Sequence, residues 1–339
     1  MNNRESMVAE TDGFTRIDDN YGRRITYLRL AITDRCNLRC RYCMPEEGVR
    51  PIDHKQTLSY EEMERLVRLF VDCGVTKVRL TGGEPFVRRG CLDFIQMLKE
   101  KIGVSFVHIT TNGVETAQHL QELKRRDISG INLSLDTLDP ERFRYLTRRD
   151  RLQDVMRTFY GCLEYGIPLK VNSVVMEDTS DAEIIQLAEL VRENDICLRF
   201  IELMPFSGKV HGHDRREGVL FGRLERLFPG LKECPLESAA TAREFTLSGF
   251  RGRIGIIEGH SRNFCKTCNK VRITPQGMLK ACLYDNGILD LRTLVRSDAS
   301  DLRIIADIQQ ALRYRNADGH ETEELCRRLF EPSMSQIGG

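Results

Sequence analysis

The stretch "DRCNLRCRYCMPEEG", residues 34–48, places three cysteines within eight residues, at Cys36, Cys40 and Cys43. These three, the first triad, follow a strand-like apolar run at residues 26–33. Thiolates bind zinc or iron–sulfur clusters, and three of them hold three irons of a four-iron cluster while the fourth iron stays open to a small molecule. Zinc loops usually pair their cysteines as C-x2-C. The spacing therefore indicates a cluster with an open position, with an incomplete zinc site or unrelated loop cysteines as the alternatives.

The composition excludes several classes of protein. The 339 residues carry 51 Lys and Arg against 50 Asp and Glu, a net charge of +1, so no field recruits nucleic acid or an anionic membrane. Residues 1–20 lack the apolar core of a signal peptide, and no apolar run reaches the roughly 18 residues that span a membrane. We therefore expect a cytoplasmic protein whose twelve cysteines are reduced and serve as metal ligands or core residues.

Short apolar runs alternate with amphipathic helical patterns over the first two thirds of the chain. Six of these runs read as strands, at residues 26–33, 75–80, 104–110, 130–135, 168–175 and 196–203. Two helical patterns begin with the Ser and Glu spacing of a capping box, at Ser59 with Glu62 and at Ser180 with Glu183. Six strand–helix units predict a parallel sheet with right-handed crossovers. Because a full barrel needs eight units, we predict a partial one.

Beyond about residue 205 the alternation gives way to glycine-rich loops. We predict hairpins at 243–257 and 270–283 and helices near 300–330. The predicted fold class is α/β, a partial (βα)6 TIM-like barrel with a C-terminal α+β region that covers its opening. The predicted divisions are an extension at 1–24, the barrel at 25–205, the C-terminal region at 206–330 and a tail at 331–339.

Unusual residues follow the predicted strands at one common end. The first triad follows the first strand, "TGGEP" at 81–85 the second, "TTNG" at 110–113 the third, and residues 134–136 end the fourth. Active sites of parallel barrels lie at the C-terminal ends of the strands. Glycines allow close approach of backbone to a ligand, and the carboxylate of Glu84 can meet an ammonium group. We therefore expect the chemistry at this end.

A second triad lies downstream, with Cys265 and Cys268 paired as C-x2-C and Cys282 following after thirteen intervening residues. Again there are three ligands. Cys326 or Cys234 could complete a zinc ribbon, so zinc stays an alternative here. The linker "HGHDRREG" at 211–218 carries two histidines, which we interpret as loop residues and not as metal ligands.

The motifs resemble, in the same order, those of the GTP 3′,8-cyclases of molybdenum cofactor biosynthesis, a radical S-adenosylmethionine family. The matching stretches are "GRRITYLRLAITDRCNLRCRYCMPEEG", "VRLTGGEPFVRRG", "ITTNG", "INLSLDTLDP", "RFIELMP", C-x2-C-x13-C and the terminal "SQIGG". The resemblance implies two 4Fe-4S clusters, the first chelating S-adenosylmethionine and the second binding the guanine of GTP. It further implies a 5′-deoxyadenosyl radical that takes hydrogen from the ribose C3′, after which C3′ attacks C8 to give (8S)-3′,8-cyclo-7,8-dihydroGTP.

The resemblance also implies roles for single residues. The S-adenosylmethionine positions are Tyr42, Gly83, Glu84, Ser134 and Met204. The GTP positions are Arg29, Arg79, Thr110, Lys170, Arg199, Lys270 and Arg272. The terminal Gly338 and Gly339 would reach into the active site. The family usually has arginine where this chain has Lys270, and because lysine lacks the bidentate fork, the nucleotide contact at this position is open.

The implied partners are GTP, a reduced flavodoxin- or ferredoxin-like electron donor, the next enzyme of the pathway, and a second copy in a homodimer. One alternative is a radical S-adenosylmethionine peptide-modifying enzyme with an auxiliary cluster, although that class usually has more C-terminal cysteines. A zinc-bearing nucleic-acid binder would need a basic face, and an electron carrier would need no substrate pocket. Iron and sulfide content tests the zinc alternative, and incubation with GTP separates the two enzymes.

Overall fold

The computed structural model describes residues 16–204, 218–235 and 239–326. Within these ranges the strands form one sheet in the order β12-β11-β10-β1-β2-β3-β4-β5-β6-β9-β8-β7. The strands are β1 (Tyr27–Ala31), β2 (Lys77–Thr81), β3 (Phe106–Thr111), β4 (Gly130–Ser134), β5 (Leu169–Val175), β6 (Cys197–Glu202), β7 (Lys232–Glu233), β8 (Arg243–Thr246), β9 (Arg253–Ile257), β10 (Lys270–Ile273), β11 (Met278–Lys280) and β12 (Leu289–Asp290).

The six predicted barrel strands are all present and neighbour one another in chain order, β1 to β6, with parallel pairing throughout. The helices among them are α1 (Tyr60–Asp72), α2 (Cys91–Gln96), α3 (Leu120–Arg125), α4 (Pro140–Thr147), α5 (Leu152–Glu164) and α6 (Asp181–Glu193). Both predicted capping boxes form, at the starts of α1 and α6. The prediction of a partial parallel barrel is therefore confirmed.

Alternate residues of each barrel strand face opposite sides of the sheet. On β1, Leu28 and Leu30 are fully buried in the hydrophobic core, as are Val78 and Leu80 on β2. Polar residues such as Arg29 alternate with them and line the inside of the barrel. Apolar packing against the helices thus leaves the inner face of the barrel to polar side chains.

The C-terminal region flanks both edges of the barrel. Its helices are α7 (Val219–Leu227), α8 (Leu291–Arg296), α9 (Asp301–Leu312) and α10 (Gly319–Cys326). Strands β8 and β9 form one antiparallel pair and β10 and β11 another, as the two predicted hairpins require. Because β9 pairs in parallel with β6 and β10 pairs in parallel with β1, the parallel array gains one strand at each edge.

The two flanks meet across the opening of the barrel. The Nζ atom of Lys270, on β10, donates a hydrogen bond of 2.9 Å to the carbonyl oxygen of Ala239, which lies on the approach to β8. Both residues line the inside of the barrel. In the part of the chain that the structure describes, no helix is long and apolar enough to cross a membrane.

Candidate active site

A cavity of about 1200 Å³ lies inside the barrel and is lined by both cysteine triads. The first triad follows β1, at the C-terminal ends of the parallel strands, as predicted. The second triad lies at the opposite end, because Cys265 and Cys268 directly precede β10, which runs parallel to β1. The expectation that the chemistry gathers at one end thus holds for only one triad. The barrel separates the triads and the cavity connects them.

The residues that directly follow β2 hold the loop of the first triad. The backbone N–H of Gly83 donates to the carbonyl oxygen of Thr33 and that of Glu84 to the carbonyl oxygen of Arg35, each at 2.8 Å. A Cβ atom on Gly83 would lie 2.2 Å from the carbonyl oxygen of Arg35, which no side chain permits. The glycines of "TGGEP" therefore allow close packing against the cysteine loop, and Gly83 also lines the cavity.

Glu84 lies behind the cavity wall and does not line it. Its fully buried carboxylate accepts hydrogen bonds from the Thr111 hydroxyl at 2.9 Å and from the Asn112 backbone N–H at 2.7 Å. Burial raises the pKa of Glu84 to about 7. The side-chain amide of Asn112 in turn donates to the Sγ atom of Cys36 at 3.6 Å. Glu84 thus supports a residue that contacts the first triad.

Three further residues predicted for S-adenosylmethionine, Tyr42, Ser134 and Met204, line the cavity. The Tyr42 hydroxyl donates to Oδ2 of Asp136 at 2.9 Å, and the Val174 backbone N–H donates to Oδ1 of the same residue at 2.8 Å. Burial raises the pKa of Asp136 to about 6 and that of Tyr42 well above its ordinary range. Asp136 therefore fixes the tyrosine beside the first triad.

The first triad has the chemistry of a cluster site. Burial raises the pKa of the Cys36 and Cys40 thiols, so metal binding would have to displace their protons. Over residues 16–204, 218–235 and 239–326, no three His, Cys, Asp or Glu side chains are gathered to hold a single metal ion. A cluster spaces its thiolates more widely, because each binds a different iron. Three soft ligands facing a large cavity fit a four-iron cluster with an open iron.

The second triad presents the same ligand set to the other end of the cavity. Cys265 lies on a short helical turn, Asn263–Thr267, and Cys282 follows β11. Neither Cys234 nor Cys326 lines the cavity. Among the described residues, no group of three or more His, Cys, Asp or Glu side chains is placed to hold a single metal ion, so the arrangement does not show a zinc site with either cysteine as the fourth ligand.

Cations from several strands line the cavity between the two triads. Arg29 on β1 is in register with Arg79 on β2 and with Arg272 on β10, while Lys170 on β5 and Arg199 on β6 lie further round the barrel. Arg29 and Arg79 occupy the middle of their strands, and Lys170 and Arg199 occupy the N-terminal half of theirs. This concentration of positive charge inside a barrel is suited to a polyanion.

The cations perturb one another and their neighbours. Burial, followed by the positive charge of Arg272, lowers the pKa of Arg29 to about 9. Burial also lowers the pKa of His108 to about 2, with Arg79 the next cause. Burial opposes ionisation of Tyr27, but Arg79 and Arg29 outweigh it and bring the pKa of the phenol to about 7. An anion bound among these groups would relieve their mutual repulsion.

Polar atoms in the cavity wall lack protein partners. The Nε atom of Arg199 and the Oδ1 atom of Asn172 are buried and have no hydrogen-bond partner. Buried polar groups are normally paired. Both residues also line the cavity, where a bound polar ligand could pair with them. Thr110 also lines the cavity, where its hydroxyl accepts a 3.4 Å hydrogen bond from Arg79.

Five more residues line this part of the cavity that were not among the predicted site residues: Tyr27, Lys77, His108, Asn132 and Asn172. The strand period of two could have found all five, because each lies two residues from a predicted site residue on the same strand.

Two family models match the chain, "Radical SAM superfamily" over residues 30–191 and "Molybdenum Cofactor Synthesis C" over residues 196–321. The GTP 3′,8-cyclase of Heliobacterium modesticaldum is 39% identical over 95% of this chain and 99% of its own length. The mitochondrial GTP 3′,8-cyclase of Arabidopsis thaliana is 38% identical over 95% of this chain and 83% of its own length. "Molybdenum cofactor biosynthesis protein 1" of Bos taurus is 40% identical over 87% of this chain. The chain spans 47% of that relative's length, about half.

Solved structures support the fold. SuiB of Streptococcus suis, bound to the precursor peptide SuiA, has a TM-score of 0.57 with 17% identity, over 89% of this chain and 68% of that chain. At this identity the similarity concerns the fold alone. The predicted radical S-adenosylmethionine superfamily is confirmed, and the names of the relatives favour the cyclase over the peptide-modifying alternative. The chain belongs to the GTP 3′,8-cyclase family of the radical S-adenosylmethionine superfamily.

Proposed function

We propose that this chain is a lyase that converts GTP to (8S)-3′,8-cyclo-7,8-dihydroGTP, the first step of molybdenum cofactor biosynthesis. One observation carries the proposal: a single cavity is lined at one end by the first triad, at the other by the second triad, and between them by cations from neighbouring strands. A nucleoside triphosphate with its base near the second triad and its phosphates among the cations presents its ribose toward the first triad.

Cys36, Cys40 and Cys43 would hold the first 4Fe-4S cluster, and Tyr42, Gly83, Ser134 and Met204 would line S-adenosylmethionine beside it. When bound, this pair would supply the one-electron reductive cleavage of S-adenosylmethionine, which precedes hydrogen abstraction from the substrate. The protein positions the reactants and excludes water. Within this arrangement Glu84 acts through Asn112, because its carboxylate faces the protein interior.

Cys265, Cys268 and Cys282 would hold the second 4Fe-4S cluster, with Lys270 and Arg272 beside it for the nucleotide. Arg29, Arg79, Thr110, Lys170 and Arg199 would bind the phosphates, which arginine contacts bidentately. The Nζ atom of Lys270 already donates to the carbonyl oxygen of Ala239, so Lys270 contributes less to GTP binding than the guanidinium of an arginine would. We expect Lys270→Arg to be neutral or mildly favourable for GTP binding.

The remaining partners follow from the same reaction. A reduced flavodoxin- or ferredoxin-like protein would supply the electron, and the next enzyme of the pathway would receive the cyclic product. We also propose a cytoplasmic homodimer. Gly338 and Gly339, like residues 211–217 of the linker, lie outside the described residues. Because glycines have no side chain to obstruct a narrow channel, we propose that the tail enters the cavity.

Anaerobic reconstitution with GTP, S-adenosylmethionine and a reductant tests the proposal, with the product identified by mass spectrometry and NMR. We expect the 3′,8-cyclic nucleotide from GTP and none from ATP. Cys265→Ser should abolish cyclisation, whereas Cys234→Ser, a half-buried cysteine outside the cavity, should leave it intact. Protein that contains both clusters and cleaves S-adenosylmethionine yet leaves GTP unchanged would refute the proposal.

A further inference from the structure

The segment 315–319, called here the donor segment, lies between α9 and the first residue of α10 and contacts the second triad. The Nη2 atom of Arg315 donates a hydrogen bond of 3.1 Å to the Sγ atom of Cys268. The backbone N–H of Gly319 donates to the thiol of Cys265. One short segment thus supplies donors to two of the three sulfurs, and one of these donors is a guanidinium.

Arg315 is committed to this position by a buried ion network. Its side chain is 4% exposed, and its Nη1 atom lies 3.2 Å from a carboxylate oxygen of Asp19, whose side chain is fully buried. Arg315 also donates to the carbonyl oxygens of Cys268 at 3.0 Å and Lys270 at 3.2 Å. These bonds occupy the guanidinium with protein partners, which separates Arg315 from the cavity cations available to a substrate.

The network continues to the other cysteine of the C-x2-C pair. Asp19 also binds Arg23, with 2.6 Å between Oδ2 and Nε. Arg23 donates to the carbonyl oxygen of Cys265 at 3.0 Å. Two arginines share one carboxylate, so the network brings a net positive charge to the loop that carries Cys265 and Cys268.

The donors seen at Cys36 and Cys40 of the first triad are neutral. Cys36 accepts from the Leu38 backbone N–H at 3.5 Å and from the Asn112 amide at 3.6 Å, and Cys40 accepts from the Tyr42 side chain. The charge of Arg39 also acts on Cys36. Hydrogen bonds to the sulfurs and nearby positive charge raise the reduction potential of an iron–sulfur cluster, because they stabilise the added electron. The hydrogen bond from the Arg315 guanidinium to Cys268 combines both effects at the second triad.

We infer that Arg315 is a positioning residue that raises the reduction potential of the second cluster. The inference rests on the proposed assembly of a cluster at the second triad. A cluster of higher potential is the weaker reductant, so Arg315 disfavours electron transfer from the second cluster.

Redox titration of the anaerobic two-cluster protein, followed by electron paramagnetic resonance, tests this inference. Arg315→Gln should shift the midpoint of the second cluster to a more negative potential and leave that of the first unchanged. Arg315→Lys retains the charge and should shift the midpoint less. Arg313→Gln removes the same charge two residues away, from an exposed side chain, and should shift neither potential.

An unchanged midpoint of the second cluster in Arg315→Gln, or an equal shift of both clusters, would overturn the inference. If Arg315→Gln failed to assemble the second cluster, Arg315→Lys would be measured in its place. An unshifted midpoint of the second cluster in Arg315→Lys would equally overturn the inference. Wild-type protein with zinc in place of the second cluster would instead refute the proposed function. The iron content of the wild type, about eight per chain if both clusters assemble, separates these two failures.

Discussion

Arg199 gives the clearest test of phosphate recognition among the cavity cations. It lies on β6, lines the cavity, and its buried Nε atom has no hydrogen-bond partner. Arg79, by contrast, donates to the Tyr27 hydroxyl and to Thr110, so its removal would also disturb the protein. Arg199→Ala therefore breaks fewer hydrogen bonds within the protein, although it also removes the attraction between Arg199 and Glu244.

The expected loss follows from the bonds that Arg199 would make. Hydrogen bonds to charged groups contribute roughly 1.5 to 3 kcal/mol. Their loss corresponds to a dissociation constant for GTP that is about 10- to 150-fold larger. Two effects on stability oppose each other. The like charge of Lys77 lies near Arg199, so removal of Arg199 relieves repulsion. The attraction between Arg199 and Glu244 and the packing of the Arg199 stem over Gly255 are lost at the same time. We expect little net change in Tm.

Anaerobic calorimetry with GTP and, separately, with S-adenosylmethionine measures the effect. Arg199→Ala should weaken GTP binding and leave S-adenosylmethionine binding unchanged. Arg199→Lys should lose less than Arg199→Ala, because it keeps the charge without the fork. Arg192→Ala serves as the matched control, since Arg192 pairs with Glu189 on the exposed surface of α6 and should affect neither ligand.

An equal loss of affinity for both ligands, accompanied by a lower Tm, would contradict a role of Arg199 in phosphate binding. It would mean that Arg199 supports the fold of the barrel and not the binding of phosphate. Unchanged affinity for GTP would place the triphosphate elsewhere in the cavity.

Three further predictions concern the loop, the buried carboxylate and the tail. Gly83→Ala should displace the cysteine loop, because its Cβ atom would clash with backbone, and should lower the iron content by about four per chain. Gly222→Ala is the control, because the added atom meets open space, and it should keep its full iron content. A full iron content in both variants would contradict the packing of Gly83 against the loop. Burial raises the pKa of Glu84 from 4.5 to about 7, so between these pH values the folded protein binds more protons than the unfolded chain. The stability of the folded protein therefore falls as pH rises through this window. Thermal melts of Glu84→Gln should show a flatter dependence of Tm on pH, and an unchanged dependence would contradict the raised pKa of Glu84. Deletion of Gly338 and Gly339 should preserve iron content and S-adenosylmethionine binding but lower the ratio of cyclised nucleotide to 5′-deoxyadenosine, and an unchanged ratio at an unchanged rate would return the tail to a passive role.

Local chemistry explains what could be predicted from the sequence. The strands and the capping boxes at Ser59 and Ser180 depend on residues close together in the chain. The cysteine spacings likewise specify each triad by itself. Such features survive folding unchanged, so periodicity and motif were sufficient for the barrel strands and both sets of ligands.

The relative position of the triads required long-range pairing. Arg29 and Arg272 are register partners across β1 and β10, although 242 residues lie between them in the sequence. No local pattern indicates that β10 joins the edge of the barrel beside β1. The placement of the second triad at the N-terminal end of the strands follows from that pairing alone.

The direction in which a side chain points could not be predicted from the sequence either. Glu84 follows a strand within a motif and carries a charge, which suggested a ligand contact, yet its carboxylate turns inward to Thr111 and Asn112. Arg315 belongs to no motif and contacts Cys268 only because α9 ends beside the second triad. Charge and motif identify candidates, but packing decides which of them face the cavity.

Isotopic labelling shows directly whether GTP reacts at C3′ within the cavity that joins the two triads. GTP deuterated at C3′ is turned over anaerobically, and the 5′-deoxyadenosine released is analysed by mass spectrometry. We expect deuterium in the 5′-deoxyadenosine together with formation of the 3′,8-cyclic nucleotide. Unlabelled 5′-deoxyadenosine, with the deuterium retained in unreacted GTP, would show that hydrogen is not taken from C3′.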